Sequence, residues 1–120
     1  PTVTCWGTGT PLREFLHVDD LGEACVFALE QWQAGPDELQ FLNVGTGVDL
    51  TIRELAEQVA AATGFQGEIT WDTTKPDGTP MKQLDVSRMA ALGWRARIAL
   101  ADGLVDTVAS FKARNPGLRL

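Results

Sequence analysis

Trp6-Gly-Thr-Gly-Thr-Pro-Leu-Arg13-Glu-Phe-Leu-His17-Val-Asp-Asp20 is the stretch whose reading decides the fold. Val3 and Cys5, spaced by polar residues ahead of Trp6, predict a short strand, and Phe15-Leu16-His17-Val18 predicts a second. Between them Gly7, Gly9 and Pro11 force a turn, since glycine tolerates positive φ and proline fixes its own. Such a turn can present an indole and a guanidinium on one surface. A flat apolar ring suits a nucleobase or sugar, and a forked cation suits phosphate oxygens. The same residues also fit a plain hairpin with a core Trp6 and a surface Arg13.

Outward from this stretch, Asp19 and Asp20 stand where a helix should start, and acidic side chains are favoured there by free N–H groups and the helix dipole. Val18, Leu21, Cys25, Ala28, Leu29 and Trp32 recur at helical spacing, predicting a helix to about Gln33 with that face buried. Gly35-Pro36-Asp37 ends it. Phe41-Leu42-Asn43-Val44 predicts a strand closed by Gly45-Thr-Gly47, which lacks the longer glycine pattern of a phosphate loop. Thr51-Ile-Arg-Glu54 is a capping box, and Ile52, Leu55, Ala56, Val59 and Ala62 make the apolar face of the helix it opens, up to Gly64. Glu68-Ile-Thr-Trp71 predicts a strand. Asp72 to Lys82 is a polar loop with two prolines and a glycine, either functional or a solvated connection. A short helix with Met89 and Leu92 inward ends at Gly93. A last helix from about Leu100 carries Leu104, Val108 and Phe111.

The chain has 120 residues, 44% of them hydrophobic, which suits one globular domain with a mixed α/β arrangement of three to four helices on a small sheet of short strands. A net charge of -6 argues against a nucleic-acid binder, because no basic stripe neutralises phosphates. Two cysteines outside any C-x-x-C pair fit a reduced, cytoplasmic protein, and a single histidine leaves no His/Cys zinc site. No apolar run reaches membrane-spanning length.

Three blocks carry a family resemblance: Trp6 to Leu21, Leu42-Asn-Val-Gly-Thr-Gly47 with Thr51-Ile-Arg-Glu-Leu55, and Lys75-Pro-Asp-Gly-Thr-Pro80 with Lys82 and Leu84-Asp-Val86. In that order they resemble the C-terminal, substrate-binding part of the GDP-L-fucose synthase family, extended short-chain dehydrogenase/reductases. The Arg-Glu-Phe-Leu-His-Val segment is common to nucleotide-sugar epimerases and dehydratases at large. The Trp6 and Lys75 blocks are more particular. The resemblance implies an NADP-dependent epimerase and reductase acting on GDP-4-keto-6-deoxymannose. Trp6 would then line the GDP-sugar pocket and Arg13 bind the diphosphate, with Asp77 and Lys82 reaching the ligand from the long loop. It also implies structural work for His17 at the helix start and a capping role for Asp20. Met81 replaces a usual basic residue, Gln83 a usual leucine, and Ala99 a helix-capping serine, the last at a cost of about 1 kcal/mol.

The family's reaction also needs a glycine fingerprint and a Tyr-x-x-x-Lys pair, whereas this chain contains no tyrosine. The expectation is therefore a fragment of a larger enzyme, without its N-terminal dinucleotide-binding part. Alone, it should have no catalytic residues, bind no NADP(H) and be inactive. Apolar surface around Phe41, Val44 and Val48, left open by the absent part, predicts a homo-oligomer. Two other readings stay open: the substrate part of another nucleotide-sugar epimerase or dehydratase, and a non-catalytic interaction module that retains the fold.

Overall fold

The computed structural model describes residues 1–38 and 40–117. In chain order the elements are β1 (Thr2–Trp6), β2 (Leu12–Glu14), α1 (Val18–Gln31), β3 (Asp49–Thr51), α2 (Ile52–Thr63), β4 (Glu68–Asp72), β5 (Met81–Lys82), α3 (Ser87–Leu92) and α4 (Leu100–Arg114). They form two compact units. Of the described residues, one holds Pro1–Arg13, Leu50–Lys82 and residues 99–117; the other holds those within Glu14–Asp49 and Gln83–Ile98.

In the first unit β1 and β4 pair in parallel, from Thr2 opposite Glu68 to Trp6 opposite Asp72. A parallel pair cannot be closed by a tight turn, so a long crossover that includes α2 separates the two strands. β2 lies between β3 and β5, with Leu12 opposite Met81 and Arg13 opposite Lys82, again in parallel. The capping box forms as the sequence predicts. The Glu54 amide donates to Thr51 Oγ1 at 3.1 Å and the Thr51 amide donates to Glu54 at 2.8 Å. The bond from the Thr51 amide, followed by one that the Thr51 hydroxyl donates to the same carboxylate at 2.8 Å, holds the Glu54 carboxyl below its usual range. α4 packs on α2, and its N-cap Ala99 offers no side-chain acceptor, as expected for alanine in that position.

The core of the second unit is Ala24, Met89 and Trp94, with Leu16, Phe27, Leu42 and Val44 packed around it. Several expectations are corrected here. Phe15-Leu16-His17 is not a strand; the strand sits earlier, at Leu12–Glu14, where β5 supplies a partner. Phe41 to Val44 is not a strand either. Leu42 and Val44 instead pack on the core, while the Phe41 carbonyl accepts from Arg88 and Asn43 donates to the Asp85 carbonyl.

The buried side of α1 also differs from the expected one. Val18 and Leu29 are 71% and 87% exposed, and the packed side carries Asp20, Ala24 and Phe27. Asp20 is not the cap. That position belongs to His17, whose Nδ1 accepts from the Asp19 amide. Asp20 is only 3% exposed, and one carboxylate oxygen accepts from the amides of Arg97 and Ile98 at 3.1 and 2.9 Å. Two part-buried backbone donors thus draw the carboxylate inward and set the rotation of the helix. α1 ends at Gln31, two residues short of the expected Gln33. Leu92 is 39% exposed rather than inward, while Met89 is buried as expected.

Candidate functional site

β1 delivers Trp6 to the edge of its sheet, where the indole is 72% exposed. The Gly7 amide extends the ladder by one bond to the Asp72 carbonyl, and the chain then turns through Gly7 and Gly9 at φ +82° and +76°. Both positions need glycine twice over. A side chain at Gly7 would overlap the Asp77 carboxylate, and one at Gly9 would meet the Trp71 ring at 2.6 Å, in addition to the strain of positive φ. After the turn, the amides of Arg53 and Ile52 at the start of α2 donate to the carbonyls of Gly9 and Pro11. The Arg53 guanidinium bonds the Thr8 carbonyl at 2.7 Å and lies 4.5 Å above the Trp71 ring.

The polar loop from Asp72 to Lys82 folds back on this turn. Asp77 accepts from the Thr8 amide at 2.8 Å and from the Thr8 hydroxyl at 2.6 Å, one bond to each carboxylate oxygen. The hydroxyl bond, followed by the amide bond, holds the Asp77 carboxyl below its usual range. A carboxylate so depressed stays ionised at pH values below the ordinary carboxylate range, and the bond pair is lost only as pH falls through the lowered value. Lys75 places its ammonium 5.5 Å from the centre of the Trp6 ring. A side chain on Gly78 would meet Arg13 Nη2 at 3.0 Å, so the loop backbone runs against the guanidinium.

The four residues singled out from sequence all lie in one unit. Arg13 and Lys82 are register partners on adjacent strands and share a face of the sheet. Arg13 is half-buried and donates to the Leu12 carbonyl at 2.6 Å, while Lys82 is exposed. Neither has a carboxylate partner among the described residues. Like charges placed side by side are unfavourable unless an anion lies between them, so the pair offers a place for one. A separate apolar cavity of about 350 Å³ between the β1–β4 sheet and α2, lined by Cys5, Leu55 and Val59 among others, includes none of the four.

Sequence reasoning missed Thr8, Arg53 and Lys75. Lys75 stands inside a quoted block and has a recognisable cation–aromatic chemistry; Thr8 and Arg53 carry no signal outside the folded turn. Gln83, one of the departures, donates to the Gly47 carbonyl at 2.8 Å, a bond that leucine could not make.

The chain matches a family model described as the NAD dependent epimerase/dehydratase family over residues 2–45. It is 54% identical over 105 residues to GDP-L-fucose synthase 1 of Arabidopsis thaliana, covering 88% of this chain and 31% of that protein. It is 49% identical over 112 residues to the GDP-L-fucose synthase of Escherichia coli strain K12, covering 89% and 35% respectively. A GDP-mannoheptose C4 reductase from Campylobacter jejuni with NADP bound superposes with a TM-score of 0.80 at 33% identity, over 92% of this chain and 35% of that one. The chain thus spans about a third of the length of the curated relatives it matches. In sequence the chain is similar to GDP-L-fucose synthases, and in fold to a GDP-sugar reductase, in each case over about a third of the other protein's length.

Proposed function

We propose that this chain is the GDP-sugar-binding portion of an NADP-dependent GDP-L-fucose synthase acting on GDP-4-keto-6-deoxymannose, and is catalytically incomplete as it stands. Trp6 offers its exposed face to the base. Arg13 and Lys82 hold the diphosphate between them, and Asp77 completes the site from the loop. The observation that supports this most is the pair of register-matched cations, Arg13 and Lys82, without a carboxylate partner among the described residues. NADP belongs to the complete enzyme, whose tyrosine is not among these residues.

Calorimetry tests the reading. GDP should bind about tenfold more tightly than UDP, since a purine covers more of the indole and base–aromatic stacking contributes roughly 1–3 kcal/mol per base. NADPH oxidation with the keto-sugar should stay at background. Equal affinity for the two nucleotides would favour another nucleotide-sugar enzyme. Binding of neither, together with no effect of Lys82→Ala, would favour the non-catalytic module.

Self-association belongs to the same proposal. Phe41 and Val48 are 57% and 70% exposed, an apolar surface that a second copy can cover. Light scattering at high protein concentration should give more than the monomer mass; a clean monomer removes this part.

A further inference from the structure

We infer, resting on the GDP-sugar reading above, that Arg53 is a positioning residue of this site. It fixes the turn that joins Trp6 to Arg13 and so sets the spacing of base and diphosphate. Arg53 takes two successive carbonyls of that turn. Its guanidinium donates to the Thr8 carbonyl at 2.7 Å, and its own amide donates to the Gly9 carbonyl at 2.9 Å. The Ile52 amide adds a third bond, to the Pro11 carbonyl at 3.0 Å. Ile52 and Arg53 are the first two residues of α2, where backbone amides have no acceptor within the helix, so the turn supplies the partners they need.

The helix does not account for the Arg53 side chain. A cation in the first turn opposes the helix dipole, whereas the Glu54 carboxylate beside it is the charge that end favours. What the guanidinium gains instead is the Thr8 carbonyl and the Trp71 ring, whose centre is 4.5 Å away. Trp71 also seats the turn directly, since a side chain on Gly9 would meet three atoms of its ring at 2.6, 2.7 and 3.0 Å. In the parallel pair Trp71 stands opposite Cys5 and Asp72 opposite Trp6, so Trp71 and Trp6 point to opposite faces of the sheet. Arg53, held over Trp71, is on the face away from the Trp6 indole and acts on the ligand through the backbone of the turn. Gly7 and Gly9 give that backbone extra freedom, and a clamp at Thr8 and Gly9 removes it before the ligand arrives.

Three probes separate positioning from contact: GDP, guanosine and inorganic pyrophosphate, each titrated by NMR into the wild type, Arg53→Ala and Arg53→Lys. GDP spans both subsites, so Arg53→Ala should weaken it about fivefold, the scale of one lost hydrogen bond. Guanosine uses only the indole and pyrophosphate only the cations, so each should bind Arg53→Ala within about twofold of wild type, because spacing matters only to a ligand that engages both. Arg53→Lys should recover part of the GDP loss, since an ammonium can still donate to the Thr8 carbonyl. Wild-type GDP affinity in Arg53→Ala would overturn the inference. So would an equal loss for pyrophosphate, which would make Arg53 a phosphate contact, and an equal loss for all three probes, which would mean general damage to the fold.

Backbone relaxation provides a readout without ligand. The amide order parameters of Gly9 and Thr10 should lie near the rigid-backbone value of about 0.85 in the wild type and fall towards about 0.6 in Arg53→Ala, with α2 unchanged. Unaltered order in the turn would sink the clamp. Loss of order in a protein whose wild type has no affinity for GDP would sink the GDP-sugar reading, and with it the role in binding, while leaving the clamp intact.

Discussion

Arg13→Ala is expected to weaken GDP binding tenfold to a hundredfold. Hydrogen bonds to charged groups contribute about 1.5–3 kcal/mol, and a guanidinium facing a diphosphate makes them in pairs. The geometry makes the position sensitive. Arg13 is half-buried, tied back to the Leu12 carbonyl and walled by the Gly78 backbone. Lys82, opposite it and exposed, is freer to be replaced by solvent, and Lys82→Ala should cost less. Arg13→Lys should fall between wild type and alanine, because an ammonium supplies the charge without the fork. Calorimetry in low and moderate salt reads all three; an alanine variant with wild-type affinity would remove Arg13 from the site.

Asp20→Ala is expected to lower the unfolding free energy by about 2–4 kcal/mol, because it strands two backbone donors, each worth roughly 1–3 kcal/mol when buried and unsatisfied. The carboxylate is the acceptor for the amides of both Arg97 and Ile98, and at 3% exposure little water can replace it. Asp20→Asn should cost less, since an amide oxygen still accepts. The Arg97–Glu23 ion pair nearby is largely solvent-exposed and cannot compensate. Urea unfolding followed by tryptophan emission would measure the change. An unaltered midpoint for the alanine variant would show that the carboxylate does not hold these residues.

What could be read from sequence divides along a physical line. The capping box, the glycine ends of α2 and α3 and the start of α4 were legible because each depends on residues within one turn of chain. The strands at Thr2–Trp6 and Glu68–Asp72 were legible too, since their apolar patterns are regular. The orientation of α1 was not. Both sides of that helix carry apolar residues, and the choice was made by a carboxylate bonding amides 77 and 78 positions away. The strand expected at Phe41 failed for a related reason, because an extended apolar run becomes sheet only where another strand meets it. For the site, residue types pointed to Trp6 and Arg13, and family resemblance to Asp77 and Lys82. Thr8 stayed hidden, because a threonine in a glycine turn acquires a partner only when a loop 69 residues later closes on it.

The parallel pairing of β1 with β4 has a kinetic meaning. Thr4 and its cross-strand neighbour Thr70 are 66 residues apart. The first strand therefore has nothing local to fold against, and it must wait for a distant segment to arrive while the chain pays the entropy of a large loop. The glycine turn hangs on the end of that strand. The proposed nucleotide site should thus form late in refolding, in step with the last cooperative phase, rather than in any early collapsed species.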